Sequence, residues 1–156
     1  MDFDQLINLL RALRDQHVDY ILVGGIALGL HGLARATEDV DVFVDGEADN
    51  IQRLRHALHS IWDDDEIDQI SAQDLNGEYP VIRYGSPDGQ LVIDIMTRLG
   101  TRVSYQDLSW EEVQIEDVTV RVATAAALYK MKRNTVRPID RADAAALRKR
   151  FKLRDD

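Results

Sequence analysis

Four apolar residues, Tyr20-Ile21-Leu22-Val23, run directly into Gly24-Gly25. So short and uniform an apolar run reads as a buried strand, and the glycine pair at its end reads as a tight turn. Residues 26–32 (IALGLHG) then predict a short helix closed by Gly32. A second strand follows at residues 39–44 and stops before Gly46.

Upstream, Leu6, Leu9, Leu10 and Leu13 recur at helical spacing and predict an amphipathic helix over about residues 3–16. Downstream, residues 48–61 carry a helical pattern, and the acidic stretch from Asp63 to Asp68 is expected to be exposed loop. Strands are expected at 80–84 and 90–96, joined by the turn residues Ser86-Pro87-Asp88-Gly89. A hairpin over 113–122 alternates about Glu116-Asp117. Thr124 is placed to cap a helix reaching about Asn134, and Pro138 suits the first turn of a last helix ending near Phe151. The order predicts an α/β (α+β) fold, a mixed β-sheet flanked by helices.

A length of 156 residues with 45% hydrophobic content supports one core rather than two domains. The expected unit is a single domain over 1–156, with a core at 1–122 and a basic helical segment at 123–156. No apolar run approaches the length of a membrane helix, and the start MDFDQLINLL is acidic where a secretory signal is basic, so a cytoplasmic protein is expected.

Cysteine is absent, which leaves oxygen ligands and four histidines for any metal and favours hard cations. The formal charge of −9 is unevenly spread. Residues 1–120 hold 8 basic and 24 acidic residues, whereas 121–156 hold 11 basic and 4 acidic. An acidic body with a basic C-terminal segment suits a metal site whose anionic substrate is held from the opposite side; a basic helix solvated on its outer face accounts for those residues equally well.

Carboxylates two apart are common in so acidic a chain, as Asp2/Asp4 and Asp63/Asp65 illustrate. Asp39-Val40-Asp41-Val42-Phe43-Val44 differs because its surroundings are apolar. In a strand, residues i and i+2 share a face, so Asp39 and Asp41 project side by side while Val40 and Val42 enter the core. Two such carboxylates repel one another unless a cation lies between them, and magnesium binds one or two carboxylates together with substrate phosphates. A solvated edge strand is the alternative. A third carboxylate, Asp94, interrupts the apolar run Leu91-Val92-Ile93-Asp94-Ile95-Met96. Such a charge needs a metal or an ion-pair partner, and the arginines of this chain offer the second.

Three carboxylates converging from strands supply what two-metal phosphoryl transfer requires, with Asp94 as general base or second-metal ligand. Gly24 and Gly25 then acquire a role. Without Cβ atoms there, phosphate oxygens can approach the amides at the start of the next helix.

The stretch VGGIALGLHGLARATEDVDVFVD resembles the hG[GS]…Dh[DE]h signature of the nucleotidyltransferase superfamily of DNA polymerase β type, with 13 residues between Gly25 and Asp39. It is most similar to the AbiEii-type toxins and related minimal nucleotidyltransferases, in which an HG precedes R-x-T-x-D-x-D. Here His31-Gly32 is followed by Arg35-Ala36-Thr37-Glu38-Asp39-Val40-Asp41. Met131-Lys132, then Arg137, Asp140 and Asp143, resemble the K…R-x-x-D-x-x-D pattern of the same proteins.

The resemblance spans residues 18–147. It implies that Asp39 and Asp41 bind Mg2+ (or Mn2+), that Asp94 completes the triad, and that Lys132 contacts nucleotide phosphate or supports the site. Arg137 with Asp140 or Asp143 is equally an ion pair of the scaffold. Family members often carry Ser at the position of Gly25, and Arg35 and Thr37 are candidates to replace its hydroxyl at the phosphates.

The activity implied is transfer of a nucleoside monophosphate from a nucleoside triphosphate, ATP being the expected donor, to an acceptor hydroxyl on an RNA end, a protein or a small molecule. A tRNA or protein acceptor, a toxin–antitoxin setting and a cognate partner protein follow from the same resemblance, with no membrane role. The alternative is a non-catalytic nucleotide-binding or interaction module, such as an antitoxin-like partner.

Overall fold

A computed structural model of the chain describes residues 1–33, 37–99, 103–133 and 137–154. Strand β1 (Tyr20–Val23) is buried along its whole length and is paired on both edges. On one side it runs antiparallel to β2 (Asp39–Val44), with Tyr20 opposite Val44 and Val23 opposite Asp41. On the other it runs parallel to β8 (Val118–Ala123), which forms an antiparallel hairpin with β7 (Trp110–Ile115). Beyond β2 lies β4 (Val92–Met96), parallel to it, and then the edge strand β3 (Val81–Gly85), antiparallel to β4. The sheet order is β3-β4-β2-β1-β8-β7. It is a mixed sheet flanked by helices, as the alternation of apolar patterns predicts.

Helix α1 (Phe3–Asp15) begins where the Asp2 side chain accepts a hydrogen bond from the Gln5 amide at 3.1 Å. It buries Leu6, Leu9, Leu10 and Leu13 against α3 (Ala48–His59) and β8. Asn50, buried on α3, ties β1 to β2. Its amide donates to the Asp19 and Asp45 carbonyls at 3.0 and 2.7 Å and its oxygen accepts from the Asp19 amide at 2.8 Å. Helix α5 (Ala125–Lys132) starts at the Thr124 cap, whose hydroxyl accepts from the Ala127 amide at 3.1 Å. Helix α6 (Pro138–Phe151) opens on Pro138 and packs along α5.

Several boundaries differ from the sequence pattern. Helix α2 (Gly24–Leu30) incorporates both glycines as its first residues, so the turn and the helix are one element. The acidic stretch is exposed but not irregular: residues Asp65–Gln69 form a 3-10 turn anchored by the fully buried Ile67. A short helix α4 (Ala72–Leu75) and a two-stranded ribbon, β5 (Arg98–Leu99) with β6 (Val103–Ser104), fill segments without a periodic pattern long enough to read.

Candidate active site

The strand register sets three charged residues in one row. Asp41 on β2 lies opposite Asp94 on β4, and Asp94 lies opposite Arg83 on β3. Directly paired residues share a face, so all three project to the same side, and Asp39 joins them two residues before Asp41. The intervening Val40, Val42, Ile93 and Ile95 are buried in the core on the other side. Alternation in β4 explains how Asp94 coexists with its apolar neighbours: the two adjacent isoleucines point away from it.

The Arg83 guanidinium bridges two of the carboxylates. Its Nε donates to Asp94 Oδ1 at 2.9 Å, and its Nη2 donates to Asp94 Oδ2 at 3.2 Å and to Asp39 Oδ2 at 2.9 Å. The ion pair considered for Asp94 on sequence grounds is therefore present, with Arg83 as its arginine. Among the described residues, no three carboxylate or imidazole groups are gathered closely enough to hold one ion as they stand. Asp39, Asp41 and Asp94 share a face, while two of them are drawn toward Arg83.

Asp41 has the most perturbed acidity of the group. Burial, the charge of Asp94, a hydrogen bond with Asp94 and the charge of Asp39 push its carboxyl up to about 7, opposed by the charge of Lys132. Burial and the two neighbouring carboxylates together thus outweigh the opposing charge of Lys132.

Gly24 completes the packing around Asp41. Its φ is +69°, a conformation open to glycine, and a Cβ there would meet the Asp41 side chain, with Cγ at 2.8 Å and Cβ at 2.9 Å. Gly25 is the next, half-buried residue of α2.

Lys132, at the end of α5, lines a cleft of about 230 Å³ together with Gly24, Asp41, Met96, Leu128 and Arg137. Its Nζ donates to Asp140 Oδ1 and Asp143 Oδ2, each at 3.0 Å. Arg137 Nε is farther from Asp140, at 3.8 Å. Both aspartates therefore hold the lysine, and Arg137 is the weaker partner.

The structure thus brings together Asp39, Asp41 and Asp94 on one face, and Gly24 and Lys132 beside Asp41. Thr37 is half-buried two residues before β2, and Arg35 lies outside the described residues. Sequence reasoning missed Arg83. The signal was present: a hairpin closed about the Ser86–Gly89 turn with Gly85 opposite Val92 must set residue 83 against residue 94.

The sequence profile of the nucleotidyl transferase AbiEii toxins, type IV toxin–antitoxin system, matches residues 8–152. The chain belongs to this family. As an AbiEii-family chain it is a member of a nucleotidyltransferase toxin family with a toxin–antitoxin setting. No curated protein matches it in sequence.

Solved structures share its fold at low identity. A protein of Thermotoga maritima assigned as a nucleotidyltransferase aligns at TM-score 0.54 and 15% identity over 97% of this chain and 92% of its own. ANT(2″)-Ia, in complex with adenylyl-2″-tobramycin, aligns at TM-score 0.52 and 14% identity over 95% and 97%. An antigenic nucleotidyltransferase-like protein of Paracoccidioides brasiliensis aligns at 0.53 and 17% over 92% and 73%. At these identities the likeness is one of fold, the nucleotidyltransferase fold. Among the described residues of this AbiEii-family chain, no helix is long and apolar enough to cross a membrane.

Proposed function

We propose that this AbiEii-family chain is a divalent-metal-dependent nucleotidyltransferase that moves a nucleoside monophosphate from a nucleoside triphosphate, ATP being the expected donor, to an acceptor hydroxyl. The observation that carries the reading is the cross-strand row in which Asp41 faces Asp94, with Asp39 on the same face and Gly24 against Asp41. The donor set is composed of carboxylate oxygens, which suit Mg2+ or Mn2+, and burial together with the charges of Asp94 and Asp39 holds the Asp41 carboxyl at about 7, a penalty on its ionised form that a cation would relieve. Asp39, Asp41 and Asp94 would hold it once Arg83 releases two of them. When bound, such an ion lowers the pKa of an attacking hydroxyl and stabilises the leaving pyrophosphate.

The residues of the chain divide the remaining work. Gly24 and Gly25 admit the triphosphate close to the backbone, and at Gly24 a side chain would also collide with Asp41. Lys132, fixed by Asp140 and Asp143, faces the phosphates from the α5 side of the cleft. Asp94 takes the proton of the acceptor hydroxyl. The acceptor oxygen bonds to the α-phosphorus, the bond from that phosphorus to its bridging oxygen breaks, and pyrophosphate leaves. The adenylylated aminoglycoside held by ANT(2″)-Ia illustrates such a product on the same fold. An RNA end such as tRNA, or a protein, is the proposed acceptor here, and a cognate partner protein is expected from the toxin–antitoxin setting.

The test is incubation of the chain with α-labelled nucleoside triphosphates and a mixed RNA and protein extract, with Mg2+ or Mn2+ and with EDTA. The expected result is metal-dependent incorporation that Asp41→Ala abolishes. Incorporation of equal extent by Asp41→Ala would overturn the reading.

A further inference from the structure

We propose that Arg83 is a displaceable internal counter-ion of the carboxylate site, its guanidinium and a divalent cation competing for the same oxygens of Asp39 and Asp94. The inference rests on the metal-site reading above and concerns how that site is emptied and filled.

Three observations carry it. First, the contact is closely matched in geometry. One guanidinium engages both oxygens of Asp94 through Nε and Nη2 and also reaches Asp39 on the strand beyond. Such forked charge-assisted contacts are among the stronger hydrogen bonds available to arginine. Second, the oxygens it covers belong to two of the three carboxylates expected to ligate the ion, and with Arg83 in place the three are not gathered at one point. Third, Arg83 is free to leave. It stands on the edge strand β3, and its side chain is 64% exposed while Asp94 and Asp39 are 17% and 33% exposed. Swinging outward moves the guanidinium into water without opening a cavity in the core, whereas the aspartates are fixed by β2 and β4.

The consequence is a linkage. In the empty site Arg83 relieves the repulsion between carboxylates that the strand register forces together. An arriving cation must expel it, so the apparent metal affinity is lower than the three carboxylates alone would give. Once expelled, the guanidinium is a mobile positive charge at the β3 side of the site.

The test uses the full chain with Mn2+ titrated into wild type, Arg83→Met and Arg83→Lys, followed calorimetrically and by the Mn2+ electron paramagnetic resonance signal. Methionine keeps the aliphatic stem and removes the competing charge, so Arg83→Met is expected to bind Mn2+ about three- to tenfold more tightly than wild type, with Arg83→Lys between them. A second measurement needs no variant. In 15N-labelled wild type, the Arg83 Nε–H resonance is expected to shift toward the position of a solvated arginine as Mg2+ is added, with the midpoint of metal binding.

Metal binding by wild type with equal or weaker affinity in Arg83→Met, or an Arg83 Nε–H signal unmoved at saturating Mg2+, would overturn the counter-ion role and leave the metal site standing. Absence of Mn2+ binding by wild type and Arg83→Met alike would instead remove the metal-site reading and the counter-ion role with it. Binding confined to Arg83→Met would be the extreme form of the proposed competition.

Discussion

Replacing Asp41 by Asn tests the electrostatics of the site without requiring the acceptor. The Asp41 carboxyl is raised from an ordinary 3.8 to about 7 in the folded chain. Between those values the unfolded chain has given up the proton while the native state still holds it, so the unfolded state binds fewer protons. Stability therefore falls as pH rises from about 4 to about 7, and above that the ionised Asp41 remains a fixed penalty on the native state. At about 1.4 kcal/mol per pH unit, a gap of about three units sets a ceiling of about 4 kcal/mol. The partial solvent exposure of Asp41 reduces the expectation to about 1.5–3 kcal/mol.

Urea unfolding of both proteins in EDTA, followed by tryptophan fluorescence at several pH values, measures the difference and cancels the titrating groups that do not interact with Asp41. At about pH 4 the two proteins should agree within about 0.5 kcal/mol, since protonated Asp and Asn are near-isosteric. At about pH 8.5, Asp41→Asn should be the more stable by about 1.5–3 kcal/mol. A difference that is constant across the pH range, or that favours wild type at high pH, would refute the reasoning. Added Mg2+ should stabilise wild type at high pH and leave Asp41→Asn nearly unchanged.

Two further predictions concern the surroundings of Asp41. Gly24→Ala should destabilise the fold by about 2 kcal/mol or more in urea, combining the left-handed backbone with the collision at Asp41, whereas Gly89→Ala, at φ +75° with open space around it, should lose only the backbone part of about 1 kcal/mol; equal losses would remove the close-approach argument. Lys132→Met withdraws the ammonium shared by Asp140 and Asp143, both only 12% exposed, and should lower stability by about 2–4 kcal/mol, with partial recovery when Asp140→Asn is added; a loss below about 0.5 kcal/mol would show that the lysine does not support the α5–α6 pair.

Much of this chain was legible in order. The helix over Leu6 to Leu13, the strand at Tyr20–Val23, the cap at Thr124, the Pro138 start and the Asp39/Asp41 alternation are local, because each depends on a period or a dihedral preference within a few residues. Segments such as Ala72–Leu75 and the β5–β6 ribbon are too short to establish a period, and the 3-10 turn at Asp65–Gln69 depends on one buried isoleucine amid acidic residues. These took their form from packing.

The site divides the same way. Alternation alone puts Asp39 and Asp41 on one face, and Gly-Gly alone permits a chain reversal. That Asp94 falls opposite Asp41, rather than a residue earlier on the other face, follows from the parallel register of β2 with β4, set across 53 residues of sequence by the fit of Val40, Val42, Ile93 and Ile95 into one core. A slip of one residue would have turned Asp94 away. Only the folded chain could show that a Cβ at Gly24 would collide with the side chain of Asp41 and that both Asp140 and Asp143 hold Lys132. Arg83 proved to bridge Asp94 and Asp39, a pairing that the Ser86–Gly89 hairpin implies only once its register is known. Local periodicity fixes which way a side chain points, and only long-range pairing decides what it meets.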